Sequence, residues 1–542
     1  MANAQGVVRS KLPSVEIPEN VSLAEFVLQN AEKYGDLVAL VNGETGQQFT
    51  YRELLQNVRR VGSGLFKAGL RKNDVFYIYC PNVPEYAFGL LGALAIGGVV
   101  TTVNPLYTEE ELEYQLRSTK ATFIMTVPEN VSKVKDAARE IGHLKVVYVV
   151  GDAPAGTFPF SVLLNDDGIA FPSFVPFNTR EDVAILPSSS GTTGMPKPVM
   201  LTHYNLVANL MQIDDSGIYA SVTPGKDSFI GALPFYHIYG MVQIVFKGIE
   251  QGARVVTMRR YHFAEYVELT SRFRGSVLHC VPPIVIHLAK NPLVDKYDLS
   301  CVRDILSGAA PLGKNTEIAI QKRLGISIGQ GYGLTETSPV VLAPPRVNCF
   351  PRKSGSSGIL VPNTESKVVD PDTKQVLGAN QDGELWFRGP QVMKGYFNLP
   401  QATAECIDKD GWFHTGDIGH YDEEGYFYVV DRLKELIKYK GFQVAPAELE
   451  HLIHTHPAVA DVAVIGVPDE IAGELPKAYV ILKHDVTATA QDISDFVAEH
   501  LAPHKRLRGG VEFVTEIPKS PSGKILRREL RKRASKQLKA KL

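Results

Sequence analysis

A chain of 542 residues exceeds what one compact core accommodates, so two or more domains are expected. With 44% hydrophobic residues, 21% charged residues and a formal net charge of −2, it offers no general electrostatic reason to bind nucleic acid or an anionic membrane. Its five cysteines (Cys80, Cys280, Cys301, Cys349 and Cys406) are odd in number and lack CxxC spacing, which argues against a disulfide framework or zinc site and fits a reducing compartment.

In chain order, the N-terminus has no basic stretch followed by an apolar segment, so no secretory signal is expected. Thr50 and Glu53 form a capping box, and Leu54, Leu55, Val58, Val61 and Leu65 share the apolar face of the helix that follows. A strand is expected over Val75–Tyr79. The long apolar run from Tyr86 to Val103 is broken by Gly97-Gly98, so it reads as a buried helix begun near Pro84 and then a strand, not as a membrane span. Further strands are expected over Lys145–Val150 and Val183–Leu186, and a helix around Thr316–Arg323. This alternation predicts an α/β fold: a large N-terminal domain of stacked, largely parallel sheets with helices, spanning residues 1–431. After Asp417 the pattern becomes denser in strands, and a charged connector, Asp431-Arg432-Leu433-Lys434-Glu435, precedes about 110 residues of short strands and helices. These form a small, mobile α+β C-terminal domain over 432–542, with a hinge near 431–435.

The chemistry begins at Ser188-Ser189-Ser190-Gly191-Thr192-Thr193-Gly194-Met195-Pro196-Lys197, directly after the expected strand over Val183–Leu186. Glycines let the backbone approach a phosphate, N–H groups and hydroxyls donate, and the lysine supplies charge. A plain surface turn is the competing reading, and a lysine after two spaced glycines speaks against it. Pro196 rules out a Walker loop. Gly329-Gln330-Gly331-Tyr332-Gly333-Leu334-Thr335-Glu336 lacks the dinucleotide fingerprint because of Leu334. Gly411-Trp412-Phe413-His414-Thr415-Gly416-Asp417 sets a carboxylate after a glycine turn, suited to accepting from two ribose hydroxyls. Asp431-Arg432 with Lys438, Lys440 and Gly441 concentrates cations at the domain seam, although a solvated helix face would look similar. Pro518-Lys519-Ser520-Pro521-Ser522-Gly523-Lys524 presents one lysine on a turn.

Together these clusters resemble the adenylate-forming superfamily, specifically the 4-coumarate:CoA ligases, acyl-CoA synthetases and beetle luciferases, over about residues 22–531. The resemblance implies an ATP-dependent acid–CoA ligase that forms AMP, with ATP, Mg2+ and coenzyme A as cofactors and a small carboxylic acid as partner. It assigns the phosphates to Ser189, Ser190, Gly191, Thr192, Thr193, Gly194 and Lys197, and adenine and α-phosphate to Gln330, Gly331, Tyr332 and Thr335. Glu336 matches the magnesium ligand, Asp417 with Arg432 the ribose clamp, and Lys438 and Gln443 face the adenylate. Lys524 matches the lysine bridging substrate carboxylate and α-phosphate, charged at neutral pH. His237, in Pro234-Phe235-Tyr236-His237-Ile238-Tyr239-Gly240, matches a residue abutting the acyl carbonyl, where it would orient the group and relieve charge; a histidine between aromatics is otherwise a core residue. Lys434 matches the rotation point of the C-terminal domain, and Arg260, Lys440 and Gly441 the coenzyme A side. Two departures are Pro198, where a glycine is usual, and Ser188, where plant enzymes carry an aromatic.

The acyl pocket implied by the resemblance includes Tyr239, Gly240, Gly308, Ala309, Ala310, Gly331, Pro339 and Val340, a slot for a 4-coumarate-like aryl acid or a medium alkyl chain. The alternative is a luciferase-type monooxygenase that adenylates and then oxidises a luciferin; Thr192-Thr193 resembles the ligases more than the Ser-Thr pair of many luciferases. Ala540-Lys541-Leu542 is a variant of the peroxisomal S-K-L address, so a peroxisomal location through the import receptor is expected, with the cytoplasm as alternative.

Overall fold

The structure is a computed structural model that describes residues 6–189, 196–214, 221–346, 350–440, 442–469, 472–520 and 523–541, except the side chains of 442–443 and 537–541. Ser190, Gly191, Thr192, Thr193, Gly194, Met195, Gly441, the Gln443 side chain, Pro521, Ser522, Cys349 and Leu542 therefore lie outside the described residues.

The heart of the chain is a nine-stranded sheet whose consecutive neighbours Val183–Ile185, Val99–Thr102, Val75–Tyr79, Phe123–Thr126, Val146–Val149 and Phe158–Pro159 all run parallel. Val75–Tyr79 is buried at every position, which is why it reads as an unbroken apolar run. The helix Pro84–Ala95 begins with proline at its first turn and the strand Val99–Thr102 follows the glycine pair, so the apolar stretch is helix, turn and strand. Thr50 caps the helix Tyr51–Lys67 reciprocally with Glu53. Among the described residues no helix is long and apolar enough to cross a membrane.

Smaller sheets stack around this one. Ser228–Gly231, Arg254–Thr257 and Val38–Asn42 run parallel, as do Val277–Cys280, Asp304–Ser307 and Ile328–Gln330. Largely parallel pairing holds for these layers but not for the whole N-terminal region. Glu365–Val369, Gly383–Arg388, Phe413–Tyr421 and Phe427–Arg432 form an antiparallel sheet, joined at its edge by Val8–Arg9. Among the described residues no helix lies between Glu365–Val369 and Gly383–Arg388 or between Phe413–Tyr421 and Phe427–Arg432, and such direct links suit antiparallel neighbours; only the helix Pro400–Cys406 interrupts the middle connection.

The strand Phe427–Arg432 includes Asp431 and Arg432, and Arg432 pairs with Asp417 across the ladder. The strand therefore ends at Arg432, within the charged segment Asp431–Glu435. Beyond it, Ile437–Tyr439, Phe442–Val444, Val459–Asp469, Gly473–Leu482 and Val511–Phe513 form a separate sheet. Ile437, Val444, Leu449, Ile453, Val462, Val480, Ile493 and Val497 belong to its own buried core.

Candidate active site

A cavity opens where the carboxyl ends of Asp304–Ser307 and Ile328–Gln330 meet the start of the helical segment after His237. His237, Tyr239, Gly308, Ala309, Gly331, Tyr332, Thr335, Val340 and Lys524 all line it. Eight of these come from the N-terminal part, and one comes from near the end of the chain.

Lys524 is brought there by a tight turn. The backbone N–H of Lys524 donates to Ser520 Oγ at 3.1 Å, that of Ser520 donates to the Lys524 carbonyl at 2.8 Å, and Lys519 pairs its ammonium with Asp461 at 2.6 Å. Gly523 has φ +78°, and a Cβ on it would lie 3.2 Å from Pro283 Cδ, at the start of the helix Pro282–Lys290. The positive φ favours glycine here, and the turn packs closely against the N-terminal part.

The electrostatics of the lysine follow from its surroundings. Burial, reinforced by the positive charge of Arg432, lowers Lys524 from 10.5 to about 8, while Asp417 and Glu336 oppose the shift. Burial, with the nearby Lys524 charge, lowers His237 to about 4, so its imidazole is neutral near pH 7. Its Nδ1 accepts from the Tyr239 N–H at 3.2 Å, which leaves the ring proton on Nε2. Any charge relief by His237 is accordingly that of a neutral N–H donor rather than of an imidazolium.

Asp417 is buried and accepts from the Tyr332 hydroxyl at 2.5 Å, with Arg432 Nε 3.4 Å from its other oxygen. Burial raises its pKa, against the opposing pull of Arg432 and Tyr332. Glu336 is also buried, in the short turn Thr335–Thr337, and accepts from the Tyr396 hydroxyl at 2.8 Å. The Lys197 ammonium stands 4.9 Å over the Tyr396 ring. Ser188 and Ser189 pair with Pro198 and Lys197 as a hairpin, so the described ends of the Ser/Thr/Gly loop sit at one place.

Other residues singled out in the sequence stand elsewhere. Gln330 is buried, but its amide is engaged by the protein: Nε2 donates to Glu317 at 2.6 Å and to the Leu312 carbonyl at 3.1 Å, and Oε1 accepts from the Leu312 N–H at 2.8 Å. It braces the loop before the helix Lys314–Leu324, while its neighbour Gly331 reaches the cavity. Ala310 is half-buried beside the lining residue Ala309. Arg260, Lys434, Lys438 and Lys440 are exposed, away from the cavity wall, and Lys440 adopts φ +48°.

Three contributors escaped sequence reasoning. Asn209, fully buried in the helix His203–Asp214, clamps Val340 by both backbone groups: Nδ2 donates to the carbonyl at 2.8 Å and Oδ1 accepts from the N–H at 3.1 Å. Two buried asparagines, Asn205 and Asn209, in a helix otherwise rich in apolar residues were the available signal. Tyr396 is the second. Gln243, the polar residue of Met241–Phe246, is the third and lines the cavity.

Comparison with known proteins fits this architecture. The AMP-binding enzyme family matches residues 27–397, and the AMP-binding enzyme C-terminal domain matches 448–524. The chain belongs to the AMP-binding, adenylate-forming family of enzymes. Among individual relatives it is similar to 4-coumarate–CoA ligase 1 of Petroselinum crispum, with 44% identity over 531 residues, 97% of this chain and 96% of the relative. With 4-coumarate–CoA ligase 3 of Arabidopsis thaliana the identity is 43%, over 97% and 93%. Among solved structures, the anthranilate CoA ligase AuaEII in complex with anthranoyl-AMP superposes with a TM-score of 0.86 at 26% identity, over 97% of this chain and 99% of that one. ATP-bound MatB from Rhodopseudomonas palustris gives 0.85 at 27%, over 94% and 98%.

Proposed function

We propose that this protein is an AMP-forming carboxylic acid–CoA ligase. In the first half-reaction a carboxylate oxygen attacks the α-phosphorus of ATP, and pyrophosphate departs with the electron pair of the broken P–O bond. In the second, the CoA sulfur attacks the acyl carbon, AMP leaves, and the thiol proton passes to solvent. The observation that carries this reading is Lys524, a lysine from the C-terminal part that enters a cavity walled by the N-terminal part, beside neutral His237 and within the field of Asp417. Anion attacking anion requires such a cation, since charge on the α-phosphate grows as the bond forms.

In this assignment the lysine bridges carboxylate and α-phosphate, and the Nε2 proton of His237 donates to the acyl oxygen. Asp417 accepts from the ribose hydroxyls, with Tyr332 and Arg432 fixing its carboxylate. Lys197, with the loop before it, holds the phosphates. Magnesium suits the donor set: it binds through one or two carboxylates and keeps water and phosphate oxygens, and Glu336 offers one buried carboxylate oriented by Tyr396. Glu336 would hold the ion, which would neutralise charge on the departing pyrophosphate. For the second half-reaction we assign rotation of the C-terminal part about Lys434, with Lys440 and Gly441 approaching the thiol and Arg260 a CoA phosphate. The acid is an aryl or medium-chain acid, as the mostly apolar walls at Ala309, Val340 and Leu342 suit. The oxidative luciferase alternative is not favoured, because the similar relatives are named as CoA ligases.

The test is a panel of acids with ATP, magnesium and CoA, reading AMP and thioester together. Lys524→Ala is expected to abolish adenylate formation and to spare thioester formation from supplied acyl-AMP. Equal loss of both half-reactions would refute the role given to the lysine.

A further inference from the structure

A buried amide holds the entrance of the Ser/Thr/Gly loop, and two prolines flank the lysine at its exit. Ser188 lies directly opposite Pro198, and Ser189 opposite Lys197, so the two ends are cross-strand neighbours. At the entrance, the Ser188 hydroxyl donates to Gln115 Oε1 at 2.7 Å. Gln115 belongs to the helix Glu109–Thr119, between the buried Leu112 and Leu116, and is itself fully buried. Among the described residues its amide nitrogen has no hydrogen-bond partner. At the exit, Pro196 and Pro198 stand on either side of Lys197, the first residue of the strand Lys197–Thr202. The Pro198 carbonyl accepts from the Phe397 N–H at 2.9 Å, while Pro198 has no N–H to return.

Each of these residues carries a penalty that a plainer one would not. An amide on the buried face of a helix, with its N–H open, is desolvated without full compensation, where leucine would simply pack. Its oxygen meets Ser188, so holding the loop entrance is what the amide does there. A proline inside a strand gives up a ladder hydrogen bond. It also restricts the residue before it to extended backbone, the conformation that Lys197 takes in its strand. The backbone of Lys197 is thus ordered before any phosphate arrives, with its ammonium 4.9 Å over the Tyr396 ring. The two departures in the sequence, serine for an aromatic and proline for glycine, are therefore one feature: they face each other at the mouth of the loop.

We propose that Gln115 and Pro198 are positioning residues for ATP: Gln115, through the Ser188 hydroxyl, and Pro198, through the Lys197 backbone, fix the two ends of the phosphate loop before nucleotide binds. The inference rests on the ligase function above and adds that part of the ordering which ATP binding demands is already met in the free protein. The effect falls on ATP and not on the acid, because Gln115, Ser188 and Pro198 are absent from the described lining of the cavity assigned to the acid.

The experiment measures the dissociation constant of ATP with magnesium by calorimetry, without acid or CoA, and the KM values of ATP and acid in acid-dependent ATP–pyrophosphate exchange. Ser188→Ala and Gln115→Leu should each weaken ATP binding about fivefold. Because both remove the same hydrogen bond, the double variant should bind no more weakly than either single one. Ser188→Thr keeps the hydroxyl and should bind ATP as wild type does. Pro198→Gly should weaken ATP binding about threefold by freeing the Lys197 backbone. In all of them the KM of the acid should hold, a separation that a general loss of packing would not produce. The calorimetric stoichiometry counts the folded fraction, so a partly unfolded preparation still yields a dissociation constant. Unchanged ATP affinity in Ser188→Ala or Pro198→Gly, or ATP and acid constants that shift together, would overturn the inference while leaving the ligase reading intact. Absence of exchange by wild type with every acid would overturn both.

Discussion

The shifted lysine makes the first half-reaction sensitive to pH in a way that the second is not. Lys524 must be protonated to bridge two anions, and burial beside Arg432 brings its pKa from 10.5 to about 8. Activity that needs the charged form is complete below the folded value and is lost as pH rises through it. A group titrating near 8 is about nine-tenths charged at pH 7 and about one-tenth at pH 9, so kcat/KM for acid-dependent ATP–pyrophosphate exchange should fall about tenfold over that interval, or ~1.4 kcal/mol. An unshifted lysine would leave the rate nearly flat over the same range. Exchange is run without CoA, so ionisation of the thiol does not enter the profile. Lys524→Arg supplies the control: guanidinium stays charged throughout, so exchange should be slower, because its geometry differs, yet flat to about pH 9. The argument fails if wild type shows no alkaline fall in exchange, or if Lys524→Arg shows the same fall.

Tyr332→Phe removes a 2.5 Å hydrogen bond to the buried Asp417 carboxylate, so the ATP KM should rise about tenfold and stability should fall by about 1–3 kcal/mol, read by steady-state kinetics and denaturant unfolding. Arg527 holds Glu450 through both carboxylate oxygens and also pairs with Glu435, all three side chains being largely buried. Arg527→Met strands two carboxylates and should destabilise the C-terminal part by about 3–5 kcal/mol, measured by denaturant unfolding. Lys434→Pro is expected to impair thioester formation more than pyrophosphate release, and unchanged overall turnover would count against rotation at that residue.

What could be read from the sequence divides by whether a residue acts locally or across the fold. Capping at Thr50 and Glu53, the buried strand Val75–Tyr79 and the helix-to-strand change at Gly97-Gly98 are set within a few residues, and the structure has them where the pattern puts them. The antiparallel sheet from Glu365 to Arg432 was less visible, because pairing direction depends on how strands are connected rather than on their own alternation. Gln330 shows the same limit at the site. Its motif marks the right loop, and Gly331, Tyr332 and Thr335 do reach the cavity, but which way one amide turns was decided by Glu317 and Leu312, partners absent from the motif itself. Asn209, Tyr396 and Gln243 come from segments whose sequence signal is apolar packing, and each acts on a residue or cavity supplied by another part of the chain. Lys524 is the opposite case: a turn with glycine at positive φ is locally encoded, and its meaning comes entirely from the Pro283 surface on which it docks. A site assembled by closing one folded part on another can be named from its motifs. Its charge balance exists only once the parts meet, because the same Lys524 would titrate as an ordinary amine if the turn were withdrawn from that surface.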